Sequence, residues 1–410
     1  MIRIRSLLLA FLLLLGPAAL LHAENWPGFR GPRGDGTSLE TGLPLHWSTT
    51  ENVAWKAAIP GRGHASPVVW GDRIFLVTAL EERQERVLLC LDRRNGKLLW
   101  QRVALTVPLE HIHEKNSYAS STPLTDGERV YVTFLDRDEM FVAAYDFQGK
   151  QLWAVRPGKF TSVHGYSSNP ILYKNTIIVN GDHDGDGYLV ALDRRTGATV
   201  WKTPRPNNTR SYCTPLIRAV NGVPHMMMTG SKCTASYNPE NGKLQWIIDG
   251  PTEQFVAAPV YNGKYLFITA GFPERHVLAI RPDGTGNVTN TNIVWRTRRD
   301  ASYVPSPLLI DDHLLVVNEG GFLTCFVPDT GEILWTERLG GGCWASPVTA
   351  SGLAYIVSEQ GVTYVVKPGK TCERLAANEI GEPVMASPVI SQGQIFLRGL
   401  NHLFALGAGK

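Results

Sequence analysis

One pattern constrains this chain more than any other: two small residues, a proline and a branched aliphatic residue, written eight times. It reads Ala65-Ser66-Pro67-Val68, Ser121-Thr122-Pro123-Leu124, Ser168-Asn169-Pro170-Ile171 and Cys213-Thr214-Pro215-Leu216 in the first half. It returns as Ala257-Ala258-Pro259-Val260, Pro305-Ser306-Pro307-Leu308, Ala345-Ser346-Pro347-Val348 and Ala386-Ser387-Pro388-Val389. A second pattern follows the first seven copies with falling fidelity, and is clearest from Ala191 and Asp193 through Thr196 and Gly197 to Trp201. Tryptophan recurs at 55, 100, 153, 201, 246, 295 and 335, and Leu375 stands where the next is due. Short alternating or apolar runs such as 73–78 and 87–91 lie between, bounded by Gly, Asp and Asn. A unit of four strands in about 45 residues is the period of a propeller blade. The expected fold is therefore all-β: an eight-bladed β-propeller of four-stranded antiparallel blades.

Each pattern has a physical role in a blade. Eight innermost strands converge on one axis, so their side chains must be small. The innermost strand is a sheet edge, where a proline costs no ladder hydrogen bond. The Asp and Thr-Gly element is the turn between the two outer strands, with Gly taking the left-handed backbone and Asp capping turn amides. Tryptophan closes the blade with a large apolar face and an N–H that needs a partner. The last unit, 386–407, supplies only three strands. Its missing outer strand is at the other end of the chain, 52–56, so the N-terminal strand is expected to complete the C-terminal blade and remove an exposed edge.

This divides the chain into residues 1–23, 24–51 and 52–410. The first segment reads as a secretory signal peptide: Arg3 and Arg5, an apolar run at 7–15, a break at Gly16-Pro17, and Leu21-His22-Ala23 as the cleavage site. The run is short for a membrane span, and no lipid-acceptor cysteine follows it. An exported protein, periplasmic or extracellular, not lipid-anchored and without a transmembrane segment after cleavage, is expected. Gly, Pro and Arg dominate 26–36, which predicts an irregular strap over 24–51. The rest is the propeller, expected as a monomer. Net charge is +3, and two of those charges are Arg3 and Arg5; nothing in this balance points to nucleic acid. Of the six cysteines, Cys213 with Cys233 and Cys325 with Cys343 are nearest in sequence; oxidised pairs and buried thiols are both consistent with an exported chain.

These repeats resemble the PQQ-like repeat family, written A-x-D-x-x-T-G-K-x-x-W, over the whole chain after about residue 50. The segment from Asn25-Trp26-Pro27-Gly28 to Pro32, with Gly34-Asp35-Gly36, resembles the start of secreted bacterial propellers that are similar to BamB, the scaffold subunit of the outer-membrane barrel-assembly machinery. The resemblance implies either of two functions, between which fold does not choose. One is a non-catalytic scaffold that binds an envelope protein, a peptide or a small ligand, without a cofactor. The other is a quinoprotein dehydrogenase using pyrroloquinoline quinone and calcium. That class carries adjacent cysteines against the quinone, and this chain has none. Scaffold function is the expectation, and no quinone is expected.

Two sets of side chains are singled out. Asp182, Asp184 and Asp186 precede Gly187 in the D-x-D-x-D-G form of a calcium loop, although a strand separates them from Asp193 at the twelfth position; the alternative is a polar turn. His111 and His113 are a weaker metal pair, without a third ligand in sequence. The second set comes from counting back from each proline pattern, since the loops leading into the innermost strands surround one mouth of the channel. It comprises His64, Tyr118, His164, Tyr166, Arg210, Tyr212, Glu253, Tyr303, Trp344 and Glu382. They vary where the blades repeat, and loops on a rigid scaffold carry binding residues. The alternative is that the aromatics only plug the channel. No spacing ties any residue into a catalytic triad.

Overall fold

The computed structural model describes residues 23–407, so all of the signal peptide but Ala23 lies outside the described residues. Eight antiparallel four-stranded sheets form a closed ring. Numbered by their proline patterns, blade 1 is Val68–Trp70, Arg73–Leu80, Glu85–Asp92 and Leu98–Thr106, from the axis outwards. The helical content of the described residues is two single turns, Glu81–Arg83 and Pro206–Asn208. Blade 8 is built from both ends of the chain. Val53–Ala58 pairs antiparallel with His402–Leu406, with Trp55 opposite Ala405.

Two rings of hydrogen bonds join the blades. At the perimeter, the tryptophan of seven of the eight outer strands donates its indole N–H to a carbonyl in the turn of the next blade; blade 7 has Leu375 in that place. Trp55 reaches Arg93, Trp100 reaches Phe147, Trp153 reaches Arg194 and Trp201 reaches Pro239. Trp246, Trp295 and Trp335 reach Pro282, Pro328 and Gly369. The turn glycine lies on the indole face. A Cβ on Gly197, where φ is +75°, would fall 2.7 Å from the Trp153 ring, so both backbone and space require glycine there.

At the axis, the residue before each proline links to its neighbour. The Ser66 N–H donates to Thr122 Oγ1, the Thr122 N–H to Asn169 Oδ1, and Asn169 Nδ2 to Thr214 Oγ1. Beyond a gap at Ala258, its N–H donates to Ser306 Oγ, the Ser306 N–H to Ser346 Oγ, and the Ser346 N–H to Ser387 Oγ. Ser66 Oγ closes the circle on the Ser387 carbonyl. The small residues thus carry hydrogen bonds as well as fitting the converging strands.

Residues 24–51 lie across the lower end of the ring. Trp26 exchanges backbone bonds with Val69 of blade 1, and the Pro27 carbonyl accepts from Thr125 of blade 2. Arg218 of blade 4 donates to the Arg33 carbonyl, Arg30 to the Pro307 carbonyl of blade 6, and Ser391 of blade 8 to the Glu24 carbonyl. Thr37–Ser38 adds a parallel strand to the inner edge of blade 7. The innermost edges of blades 1 and 7 are therefore partly paired, not open as the repeat pattern alone suggests. Blade 4 also has a fifth strand: Gly286–Asn287, from the hairpin of blade 5, pairs parallel with Trp246 and Ile247. All six cysteines are free thiols, five of them buried; burial pushes Cys325 and Cys343 up to about 12.

Candidate functional site: the upper mouth of the channel

The loops leading into the innermost strands meet at the end of the ring opposite the strap. There they wall a cavity of about 310 Å³ lined by His113, Lys115, Asn116, His164, Ser167, Tyr212, Val256, Tyr303, Val304 and Trp344. Below it lies a narrower space of about 150 Å³, lined by the axial ring of Ser, Thr and Asn with His64 and Met385, and by Phe29 of the strap.

The mouth is fixed by bonds both within blades and between loops of different blades. Tyr212 Oη meets His164 Nδ1 at 2.9 Å and Ser162 Oγ at 2.5 Å. The Tyr303 hydroxyl donates to Gln254 Oε1, and its backbone N–H to Glu319 Oε1. The Trp344 indole donates to Glu359 Oε2 at 3.1 Å, and Lys115 pairs with Glu359 Oε1 at 2.6 Å. Lys115 comes from the loop between blades 1 and 2, and Glu359 from blade 7, so this pair reaches across the opening. Burial, with Arg398 and Arg62 alongside, holds His64 down to about 4. Burial, then Arg210 and His113, also lowers His164. Both imidazoles are therefore neutral donors and acceptors at neutral pH.

Of the ten residues singled out at the mouth, His64, His164, Tyr212, Tyr303 and Trp344 line these two spaces. Arg210 stands beside them, bound to both oxygens of Asp184. Four do not line it. Tyr166 is buried in the core, edge-on to Phe160. Tyr118 packs under the Arg86 guanidinium. Glu253 is exposed on an outer depression with Lys232 and Glu274. Glu382 is turned to the Asn401 N–H and the His402 imidazole. The reason is common to the four: counting from the proline fixes a residue's place on the loop but not the direction of its side chain.

The D-x-D-x-D-G carboxylates are not brought together. Asp182 is fully buried and paired with Arg205, with Ser211 donating to it. Asp184 holds Arg210, and Asp186 is exposed. No three His, Cys, Asp or Glu side chains converge on a metal-sized site among the described residues. These carboxylates do not fit a calcium ion; the motif encodes arginine pairs that tie blade 3 to blade 4.

Lys115, Asn116 and Glu359 are not legible as mouth residues by counting back from the prolines: the first two lie farther before Pro123 than the positions counted, and Glu359 sits in the turn between the second and third strands of blade 7. His113, in sequence only half of a weak metal pair, stands at the mouth. Its Nδ1 accepts the Lys115 N–H at 3.1 Å, and its ring lies edge-on to His164.

The family described as outer membrane protein assembly factor BamB matches residues 45–114 and 83–337. The BamB of Alkalilimnicola ehrlichii is 24% identical over 206 residues, 48% of this chain and 49% of that protein. The BamB of Legionella pneumophila is 24% identical over 202 residues, with the same coverage. The chain thus spans about half the length of these relatives. Among solved structures, BamB from Moraxella catarrhalis superposes with a TM-score of 0.59 at 14% identity, covering 86% of this chain and 96% of that one. The quinohemoprotein alcohol dehydrogenase of Comamonas testosteroni gives 0.65 at 12% identity, covering 94% and 80%. At these identities the structures establish the fold alone. No helix of the described residues is long and apolar enough to cross a membrane.

Proposed function

The chain belongs to the BamB family of PQQ-type repeat propellers, and from that premise we propose that it is an exported, non-catalytic propeller that binds a protein partner of the cell envelope through its upper mouth. The observation that supports this reading is the mouth itself. Trp344, Tyr303 and Tyr212 stand on a rigid ring, each hydroxyl or indole N–H held by a neighbouring loop. Rigid aromatics in a concave site are the anchors of protein interfaces. The alternative, a quinone-dependent dehydrogenase, shares the fold. It gains no residue-level support here, since the adjacent cysteine pair is missing and two of the three candidate calcium carboxylates, Asp182 and Asp184, are engaged by arginines.

The test is a double substitution, Arg210→Ala with Trp344→Ala. It is expected to abolish capture of partners from an envelope extract while the melting transition stays cooperative. Capture that persists unchanged, and is removed instead by substitutions on the outer blade strands, would move the working surface to the rim.

A further inference from the structure

We propose that the channel beneath the mouth is a blind receptor for a carboxylate borne on an apolar body, and that the C-terminal end of an extended peptide is what it takes. This rests on the reading of the mouth as a protein-binding site and names what part of the partner enters.

Three observations carry it. The first is shape. Phe29 of the strap forms part of the wall of the lower space, and the strap is bonded to blades on both sides of the axis. A chain that enters from the mouth must therefore stop inside, so a terminus fits and a continuous segment does not.

The second is charge. Neither the mouth cavity nor the space below it has an Asp or Glu in its wall. Glu359, at the rim, is already matched by Lys115 and the Trp344 N–H. Two guanidinium groups are buried behind the wall. Arg398, 2% exposed, donates to the Ala65 and Val77 carbonyls directly behind His64 and Ser66, and has no ion-pair partner among the described residues. Arg30, 1% exposed, donates to the Pro307 carbonyl beside Ser306 and to the Asp35 carbonyl, has the Asp35 carboxylate near it, and keeps its Nε and Nη1 buried without a hydrogen-bond partner. Burial pushes Arg398 down to about 9 and Arg30 to about 10, so both remain cations at neutral pH. Arg398, a buried cation without a matching anion, favours one that arrives.

The third is the sense of the axial hydrogen bonds. The hydroxyl oxygens of Thr122, Thr214, Ser306 and Ser387 each accept a bond from a neighbouring blade. None of the four hydroxyl protons has an acceptor among the described residues, although each hydroxyl is also a donor. The channel therefore presents O–H donors. Charge-assisted bonds from such donors to a carboxylate are stronger than bonds to a neutral acceptor. Above them, the aromatic mouth suits the last apolar side chains. An N-terminal ammonium would meet donors and cations, so the polarity selects the carboxyl end.

The test uses the full chain and three probes: an acetylated heptapeptide ending in phenylalanine with a free carboxylate, the same peptide as its C-terminal amide, and 3-phenylpropanoate. Binding is read by calorimetry. The free acid is expected to bind at least about tenfold more tightly than the amide, and added salt should narrow the gap. In Arg398→Met, and separately in Thr214→Val, the acid-to-amide ratio should fall towards one. Because the ratio is measured within one preparation, partial loss of fold does not mimic this. If 3-phenylpropanoate binds and the peptide acid does not, the carboxylate pocket stands and its ligand is a small acid. Equal binding of acid and amide, a ratio that survives both substitutions, or no binding of either carboxylate overturns the proposal. Persistent capture of envelope proteins through the mouth in those cases would leave the protein-binding reading standing on its own.

Discussion

At the scale of single residues, the position before each proline shows what a repeat can conceal. At six of the eight places Ser, Thr or Asn accepts a hydrogen bond from the preceding blade; Ser66 instead donates to the Ser387 carbonyl, and Ala258 has no side-chain group to do either. Ser346→Ala would strand the Ser306 N–H in a buried place and is expected to cost about 1–3 kcal/mol. Ala258→Ser would offer the Thr214 N–H a partner and should stabilise by about 0.5–1.5 kcal/mol. Urea unfolding of the two variants checks both signs. His64 makes a pH prediction. Its folded pKa, about 4, lies below the ordinary 6.5 because burial, Arg398 and Arg62 disfavour the imidazolium. The unfolded chain therefore binds the proton first, and stability should fall as pH drops from about 6.5 towards 4. His64→Gln should lose less stability than the parent protein between pH 7 and pH 5, measured by urea midpoints. An equal loss would mean that His64 titrates normally in the fold.

At the scale of elements, the closing strand and the strap can be separated. A chain beginning at residue 45 loses most of the strap but keeps Val53–Ala58 in blade 8. A chain beginning at residue 59 loses both, exposing the edge of His402–Leu406 and removing Trp55 from its bond to Arg93. The second is expected to melt far below the first, or to self-associate through the free edge; equal melting points would show that closure is energetically minor. The closing strand was legible because the last unit lacked a fourth strand while 52–56 matched one. The course of the strap was not: its bonds are long-range, from Arg30 to Pro307 and from Glu24 to Ser391, and no local pattern encodes them. Nor was Gly286–Asn287, which crosses from blade 5 to the outer edge of blade 4. That crossing reinforces, at the perimeter, the junction that Ala258 leaves without a side-chain link at the axis.

For the whole molecule, the repeat fixes where loops converge but leaves open what converges there. His64, Tyr212, Tyr303 and Trp344 were found by position alone, because the innermost strand forces its preceding residues towards the axis. Tyr166, at the same place on its loop as Tyr303, turned into the core, and Glu382, at the place of His164, turned to the Asn401 N–H and His402. The carboxylates at 182 and 184 looked like a cation loop because their spacing is right. Only their arginine partners, more than twenty residues downstream in sequence, show the charge already balanced. The strap at the lower end has a kinetic consequence. A passage with one opening is no conduit: whatever goes in leaves by retracing its path, and nothing can follow until it has. Occupancy would then be exclusive and the dwell time set at a single gate, where Lys115 reaches across to Glu359. The ring would hand its cargo back on the side from which it came.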